Sequence, residues 1–405
     1  MDYNGGMKPS SGPLRCDVAI AGGGPVGLTL ALALARRGFE VIVVDGAPPL
    51  DKTRPDTRAY FIAHGCWRIF RALGIEDQLL PEAEPVTQVE AEGRVGGISF
   101  IAEDCSEPVL GYMMNAGVLN AALTRAVGKE ANVRLLSSVR IAQATFGAAS
   151  ARLKVGNIDI EAPLVVGADG RNSLVRRAAN IRFEGHDYDA AAISTTVRLG
   201  RPHNGVARQI FLPNGPMAVL PLKDNCANLI WTEKAAVARA LAELAPHDFE
   251  LELAKKAGAF LPDAKLGGPR HTFPIGLYIA ERFEGERVAL AGDAAHVIHP
   301  LAGQGLNLGL KDVAALVDVI GEAARAGLDI GAASALSPYT IWRRGDVVAT
   351  AAAMEGFART FTSALPVRLT AGAAMAVAGM IPQARKLFAR EAGGDLGELP
   401  SLMAR

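Results

Sequence analysis

Six residues near the start of the chain, Gly22-Gly23-Gly24-Pro25-Val26-Gly27, have the spacing of a phosphate-binding turn. Glycine at the first position allows a tight turn. At Gly24 it lets backbone come close to a pyrophosphate, and at Gly27 it lets helix and strand touch. The flanks carry more weight than the letters. Residues 16–21 (CDVAIA) predict a buried strand, residues 26–37 (VGLTLALALARR) a helix stopped at Gly38, and residues 41–45 (VIVVD) a second strand. A helix starting there offers free N–H groups and a partial positive charge to phosphates. Asp45 ends the second strand 23 residues after Gly22, where a carboxylate would accept hydrogen bonds from a ribose. The expected ligand is a dinucleotide, FAD or NAD(P).

A second glycine-rich segment favours the flavin. Residues 287–291 (RVALA) read as a strand and run into Gly292-Asp293-Ala294-Ala295-His296; residues 299–309 (HPLAGQGLNLG) follow closely. A glycine turn opening a helix is again a device for negative charge. In a flavoprotein that charge sits on the N1–C2=O edge of the ring, which becomes anionic on reduction, and Asp293 would bond the ribityl chain. Residues 164–167 (LVVG) form a third strand that leads into Ala168-Asp169-Gly170.

These segments need a scaffold of several strands and helices. At 405 residues and 50% hydrophobic content the chain is long enough for two packed lobes and too apolar for intrinsic disorder. Residues 59–73 read as a helix ended at Gly74. Residues 193–199, 207–212, 217–222 and 227–232 are strand-like, separated by Asn214-Gly215 and Lys223-Asp224-Asn225, which predicts an antiparallel sheet. From Asn307 onward the sequence is helical and alanine-rich. The expected fold is α/β: a discontinuous Rossmann-like domain, an inserted antiparallel-sheet domain and a helical C-terminal region.

Lys+Arg and Asp+Glu both total 42, so no basic field is available for nucleic acid. The four cysteines, Cys16, Cys66, Cys105 and Cys226, form no CxxC pair and suit a reducing, cytoplasmic setting; Cys66, Cys105 and Cys226 read as packing residues. The first fifteen residues lack the apolar core of a signal peptide, and the run 371–381 is too short for a bilayer span, which needs about 20 residues. His296 and His299 are spaced like a metal pair, but no carboxylate or cysteine completes a site, so they read as turn histidines and no metal is expected. Arg343-Arg344 read as a solvated helix face.

The three motifs together, GxGxxG, Asp169-Gly170 within ADGRNSLVR, and Gly292-Asp293, resemble the single-component flavin aromatic hydroxylases of the p-hydroxybenzoate hydroxylase type. Residues 299–312 (HPLAGQGLNLGLKD) are similar to the signature of the ubiquinone-biosynthesis flavin hydroxylases, and the likeness runs from Asp17 to about residue 389. It implies that Gly22, Gly24 and Gly27 meet the FAD pyrophosphate and Asp45 the adenosine ribose. Family members more often carry Glu at the latter position. It implies Arg58 near the phosphates, backbone at Val139 near adenine, and Asp169 and Gly170 serving both FAD and the nicotinamide donor. Gly292 and Asp293 would hold the ribityl chain, and Pro300, Gly303, Gly305, Leu306 and Asn307 would line the ring. No acid–base residue is assigned. The implied reaction uses NAD(P)H to reduce FAD; O2 adds at flavin C4a and the hydroperoxide hydroxylates a polyprenylated, membrane-borne phenol.

The implied segments are 15–95, 116–180 and 285–330 for FAD binding, 96–115 and 181–284 for substrate, and 331–405 as the helical region. Residues 357–390 mix apolar stretches with Arg359, Arg368, Arg385, Lys386 and Arg390, which suits either peripheral contact with the inner face of the membrane or a packing surface, within a biosynthetic complex or not. Hydroxylation of a small soluble phenol, or a non-hydroxylating FAD oxidase or reductase, remains the alternative.

Overall fold

A computed structural model of the chain describes residues 12–48, 58–93, 96–105, 107–298, 303–362, 365–395 and 397–404. Strands Val288–Leu290, Leu164–Gly167, Val18–Ala21, Val41–Val44 and Val133–Leu136 lie side by side in that order and run parallel; Glu284–Gly285 joins antiparallel at the edge. Every residue of the four strands 288–290, 164–167, 18–21 and 41–44 is buried, as parallel strands covered on both faces require. Helix Pro25–Ala35 is buried from Gly27 to Ala35 and packs against both Ala116–Val127 and Gln304–Arg325, which explains why it is apolar all round.

A nine-stranded sheet stands beside this lobe. Its main path is His296–Val297, His271–Ala280, Phe183–Arg198, Cys226–Lys234, Gly215–Leu222, Val206–Leu212, Gln88–Glu92 and Gly97–Ile101, and Lys265–Leu266 pairs with Phe183–Arg198. Asp224 and Asn225 both take positive φ (59° and 53°), as the tight turn between Gly215–Leu222 and Cys226–Lys234 demands. The strand Gln88–Glu92, grouped by sequence with residues 15–95, pairs in parallel with Val206–Leu212 of this sheet.

The two sheet faces have different tasks. Ile193, Val197, Met217, Leu229 and Trp231 pack with Phe249 and Leu253 of helix Pro246–Ala257. Ala207, Ala218 and Leu220 instead meet Phe61, Ala63, Val86 and Met113. Those four belong to a small sheet of Ala59–Ala63, Glu84–Val86 and Gly111–Asn115. That apolar seam joins the nine-stranded sheet to the three-stranded one.

Two expectations are corrected. Residues 59–73 are not one helix: Ala59–Ala63 is a strand paired with Gly111–Asn115, and only His64–Ala72 is helical. Pairing and an inward-facing Phe61 and Ile62 override the local propensity. Arg343 is not solvated; it is 2% exposed and ion-paired inside the protein.

The C-terminal segment folds back on helix His64–Ala72. Asp395 accepts from Arg68 (2.8 and 3.1 Å) and sits 2.9 Å from His64 Nε2, while Arg68 also reaches Glu107 at 2.8 Å. His64, Glu107 and Asp395 could by geometry hold a metal ion. The Arg68 guanidinium already sits on both carboxylates, so the cluster is an ion-pair network. Burial pushes the Asp395 carboxyl up, but its bonds to His64 and Arg68 outweigh this and hold it well below the usual carboxylate range. A depressed carboxyl contributes stability above its unfolded-state pKa of about 4 and loses it as pH falls further. Asp395→Asn should therefore cost about 3 kcal/mol at neutral pH. The gap in melting temperature from wild type should narrow in melts run below about pH 4.

Candidate functional site

The first turn shows why each glycine is there. Gly22 has φ +107°, and a Cβ on it would run into the Ala168 carbonyl; a Cβ on Gly27 would run into the Gly22 carbonyl. Both are glycine because protein backbone lies against them. Gly24 differs: its φ of −76° suits any residue, and a Cβ there would meet nothing within 4 Å. Helix Pro25–Ala35 has no capping side chain at this end. Its first-turn N–H groups thus face open space beside a glycine that no protein contact requires, which is the form of an anion cradle.

Asp45 stands at this turn. Its Oδ2 accepts from Gly23 N at 2.6 Å and its Oδ1 from Ala47 N at 2.7 Å. The shorter Asp thus holds the glycine turn itself. Val139 N donates to Asp45 O (3.1 Å), which keeps that backbone next to the strand end.

The Asp169-Gly170 segment lies against the same turn through Ala168. Asp169 Oδ2 accepts from Leu174 N (2.7 Å) and Val175 N (3.3 Å), capping the short helix Leu174–Ala178, while its buried Oδ1 has no protein partner. Gly170 has φ +78°, with nothing within 4 Å of an added Cβ. Arg176, from the same motif, donates to Ala294 O at 2.8 Å and stacks on Phe183, tying the second motif to the third.

The third segment turns at Gly292 (φ +60°). Asp293 follows with its side chain open to solvent yet walled by protein, so burial raises its pKa against the opposing pull of His296, Arg58 and Arg171. Arg58 itself is exposed, and its carbonyl accepts from Ala116 N. Behind the turn lies Asp312, with no exposed surface. Its Oδ2 accepts from Gly292 N at 3.0 Å and is 2.6 Å from His296 Nε2; its Oδ1 accepts from Arg343 Nε at 2.8 Å. Arg343 continues to Asp346 at 2.5 Å. Burial pushes the Asp312 carboxyl up, but His296 and Arg343 outweigh it and hold it low. Burial likewise opposes the Arg343 charge, and Asp312 with Asp346 more than restores it.

Helix Gln304–Arg325 opens from Gly303, which is left-handed at φ +66° and has no capping side chain. Gly305 has open space at its Cβ position, and Leu306 is half-buried against the core. Asn307 does other work: its amide accepts from Ala63 N (2.9 Å) and donates to Phe61 O (3.0 Å), pinning the helix to the strand Ala59–Ala63. Pro300 and His299 lie outside the described residues. The structure thus brings Gly22, Gly27, Asp169, Gly292 and Asp293 around one end of the parallel sheet. Asp312 and Arg343 escaped the sequence reading, although an acid inside an apolar helix, Lys311-Asp312-Val313, is itself a sign of a buried partner.

An uncapped helix start beside an unneeded glycine, near an unpartnered buried carboxylate oxygen, can receive a ligand that carries both an anion and a hydroxyl. The family described as FAD binding domain matches residues 15–339. Ubiquinone hydroxylase UbiL of Rhodospirillum rubrum is 37% identical over 96% of this chain and 92% of its own length. The 3-demethoxyubiquinol 3-hydroxylase of Escherichia coli is 34% identical over 86% and 91%, and the mitochondrial monooxygenase COQ6 of Drosophila melanogaster 30% over 94% and 90%. The p-nitrophenol 4-monooxygenase PnpA of Pseudomonas putida shares the fold, with TM-score 0.79, 19% identity, and 95% and 100% coverage. The chain belongs to the FAD-binding family of monooxygenases that includes the ubiquinone hydroxylases.

Because Asp312 is buried and holds three segments, Asp312→Asn should destabilise the protein by about 3–5 kcal/mol. FAD content should fall with it, as the Gly292 turn loses its anchor. Thermal melts with and without added FAD check this; an unchanged melt would remove Asp312 as the anchor.

Proposed function

We propose that this chain is an FAD-dependent monooxygenase that hydroxylates a polyprenylated phenol in ubiquinone biosynthesis, with O2 and an NAD(P)H donor. The observation that carries FAD is the pair of open glycines, Gly24 and Gly305, each at an uncapped helix start. The substrate class rests on the names of full-length relatives at 30–37% identity.

When bound, FAD supplies the redox chemistry, taking a hydride and delivering one atom of O2. The chain's own residues bind and orient. The Gly22–Gly27 turn and the first N–H groups of helix Pro25–Ala35 hold the pyrophosphate, with Arg58 nearby. Asp45 keeps the turn in shape and offers its remaining lone pairs to the adenosine ribose, with backbone at Val139 against adenine. The unpartnered oxygen of Asp169 is matched to a cofactor hydroxyl, and Asp169-Gly170 border the donor's approach. Asp293 accepts from the ribityl chain. Gly303, Gly305, Leu306 and Asn307 form the helix start that would meet the ring. The packed apolar seam of Phe61, Met113, Ala218 and Leu220 keeps water out of the contact between the two sheets.

The proposed segments are 15–95, 116–180 and 285–330 for FAD, 96–115 and 181–284 for substrate, and 331–405 as the helical region, with residues 88–92 added to the substrate sheet. The five parallel strands of one sheet and the antiparallel run 183–234 of another support this division, whereas Gly111–Asn115 pairs with Ala59–Ala63 and His296–Val297 with His271–Ala280 across its bounds. The proposed location is the cytoplasm, at the inner face of the membrane. Four unpaired cysteines suit a reducing compartment, and among the described residues no helix is long and apolar enough to cross a membrane.

Mass spectrometry of quinone precursors in a strain lacking the protein tests the function. A prenylphenol missing one oxygen should accumulate; an unchanged quinone pool overturns it. Asp293→Ala should weaken FAD binding by roughly 1.5–3 kcal/mol, about ten- to hundredfold, in a fluorescence titration. Gly305→Val tests the ring-side helix start. Its side chain projects where no protein atom stands, between the helix dipole and the edge that gains charge on reduction. Oxidised FAD should still bind, the reduction potential should drop, and stopped-flow reduction by NAD(P)H should slow.

A further inference from the structure

Helices Leu365–Met380 and Pro382–Ala392 meet at Ile381, whose extended backbone (φ −95°, ψ 113°) lets Pro382 open the second helix. Their inner residues Met375, Phe388, Ala389 and Ala392 pack with Ile98 and Phe100 of strand Gly97–Ile101, at the edge of the nine-stranded sheet. Arg385 fixes the corner by pairing with Asp104 at 3.4 Å.

With the inner side filled, the outer side of such a pair is normally polar. Here Val377, Met380, Ile381 and Leu387 are 57%, 80%, 46% and 55% exposed. Eleven large apolar side chains are exposed among the described residues, and four of them fall within positions 377–387. They are not scattered. On helix Pro382–Ala392 the exposed Gln383, Lys386, Leu387 and Arg390 recur at i, i+3, i+4 and i+7, one continuous face.

The charge is as uneven as the hydrophobicity. The chain as a whole balances 42 cations against 42 anions, yet between Glu355 and Glu391 it has Arg359, Arg368, Arg385, Lys386 and Arg390 and no Asp or Glu. The side chains of Arg359 and Arg368 lie outside the described residues; Lys386 and Arg390 are exposed beside the apolar group.

We propose that this corner is the surface by which the protein lies on an anionic lipid bilayer. Val377, Met380, Ile381 and Leu387 enter the headgroup–acyl boundary, and Lys386 and Arg390 meet lipid phosphates. A second copy of the chain fits less well. A two-fold contact through this face would set Lys386 and Arg390 near their own kind, with no carboxylate on the face to offset them. The choice of occupant rests on the proposed substrate, an isoprenoid phenol dissolved in lipid. The surface adjoins the edge of the substrate sheet, so docking would bring that sheet to the membrane.

Co-sedimentation of the FAD-loaded full chain with vesicles tests the surface without turnover. Vesicles of phosphatidylcholine with phosphatidylglycerol should pellet the protein, phosphatidylcholine alone should not, and added salt should release it. Lys386→Glu/Arg390→Glu should weaken binding about tenfold or more. Met380→Asp/Ile381→Asp should abolish it, with flavin absorbance and melting temperature unchanged in this variant and in the single Lys386→Glu, which leaves the Arg390 bond to the Asp395 carbonyl (3.0 Å) intact. The proposal is overturned if wild type ignores anionic vesicles, if neither double variant matters, or if light scattering finds a dimer that Met380→Asp dissolves. Pelleting as expected with an unchanged quinone pool would sink the proposed substrate and leave the surface standing. Hydroxylation without pelleting would do the reverse.

Discussion

The Asp312 carboxylate is the constraint on which the rest of the site depends. A fully buried charge is tolerated only when its partners are fixed around it, because an unmet carboxylate in the interior costs several kcal/mol. Asp312 meets Gly292 N and His296 in one stretch of chain and Arg343 in another. It thereby sets the Gly292 turn, the strand His296–Val297 and helix Ala333–Thr362 relative to helix Gln304–Arg325. Apolar packing alone would allow these elements to slide; directional bonds to one atom pair do not. Small residues complete the alignment. A Cβ on Gly309 would press on Val26 and on Gly292, so the first and last glycine segments approach through a contact only glycine permits.

The glycines thus divide by what lies against them. Gly22, Gly27 and Gly309 are required by this chain itself, since a Cβ on them would meet the Ala168 carbonyl, the Gly22 carbonyl and Val26 respectively. Gly24 and Gly305 have no such neighbour, and no positive φ calls for them. Glycine in an unobstructed helix start costs conformational entropy and returns nothing to the fold. Its presence there points outward, to something approaching the backbone. The Asp169 oxygen left unpartnered in a buried position points the same way.

Much of this was legible in the residues. Strand, turn, helix and strand around Gly22 have strong local signals, and the hairpin positions Asn214-Gly215 and Asp224-Asn225 state their turn chemistry outright. What escaped depends on distant partners. Residues 59–63 have the letters of a helix start, and only pairing with Gly111–Asn115 makes them a strand. Arg343 has the letters of a solvated face, and only Asp312, 31 positions earlier, makes it a buried cation. Asn307 was legible as part of a flavin signature, yet its amide is spent on Phe61 and Ala63. A signature records that a residue type is needed; it does not say whether ligand or protein needs it.

Two ionic networks grip the helical region from different sides. Asp312 with Arg343 binds helix Ala333–Thr362, and Asp395 with Arg68 and His64 binds the tail that follows the last helix. Cys66 and Asn307 lie between them, the thiol directed at the Asn307 carbonyl at 3.5 Å. The start of helix Gln304–Arg325 is therefore held through Asn307 in front, Asp312 behind and the neighbouring helix His64–Ala72 beside it. That rigidity has a physical use. Dipoles stabilise a developing charge only if they are already oriented when it appears, because reorienting them at that moment would consume the energy they supply. A left-handed Gly303 with no cap is a weak helix start by itself. Anchored on three sides, it can keep its N–H groups aimed at one point while the rest of the helical region turns outward to another surface.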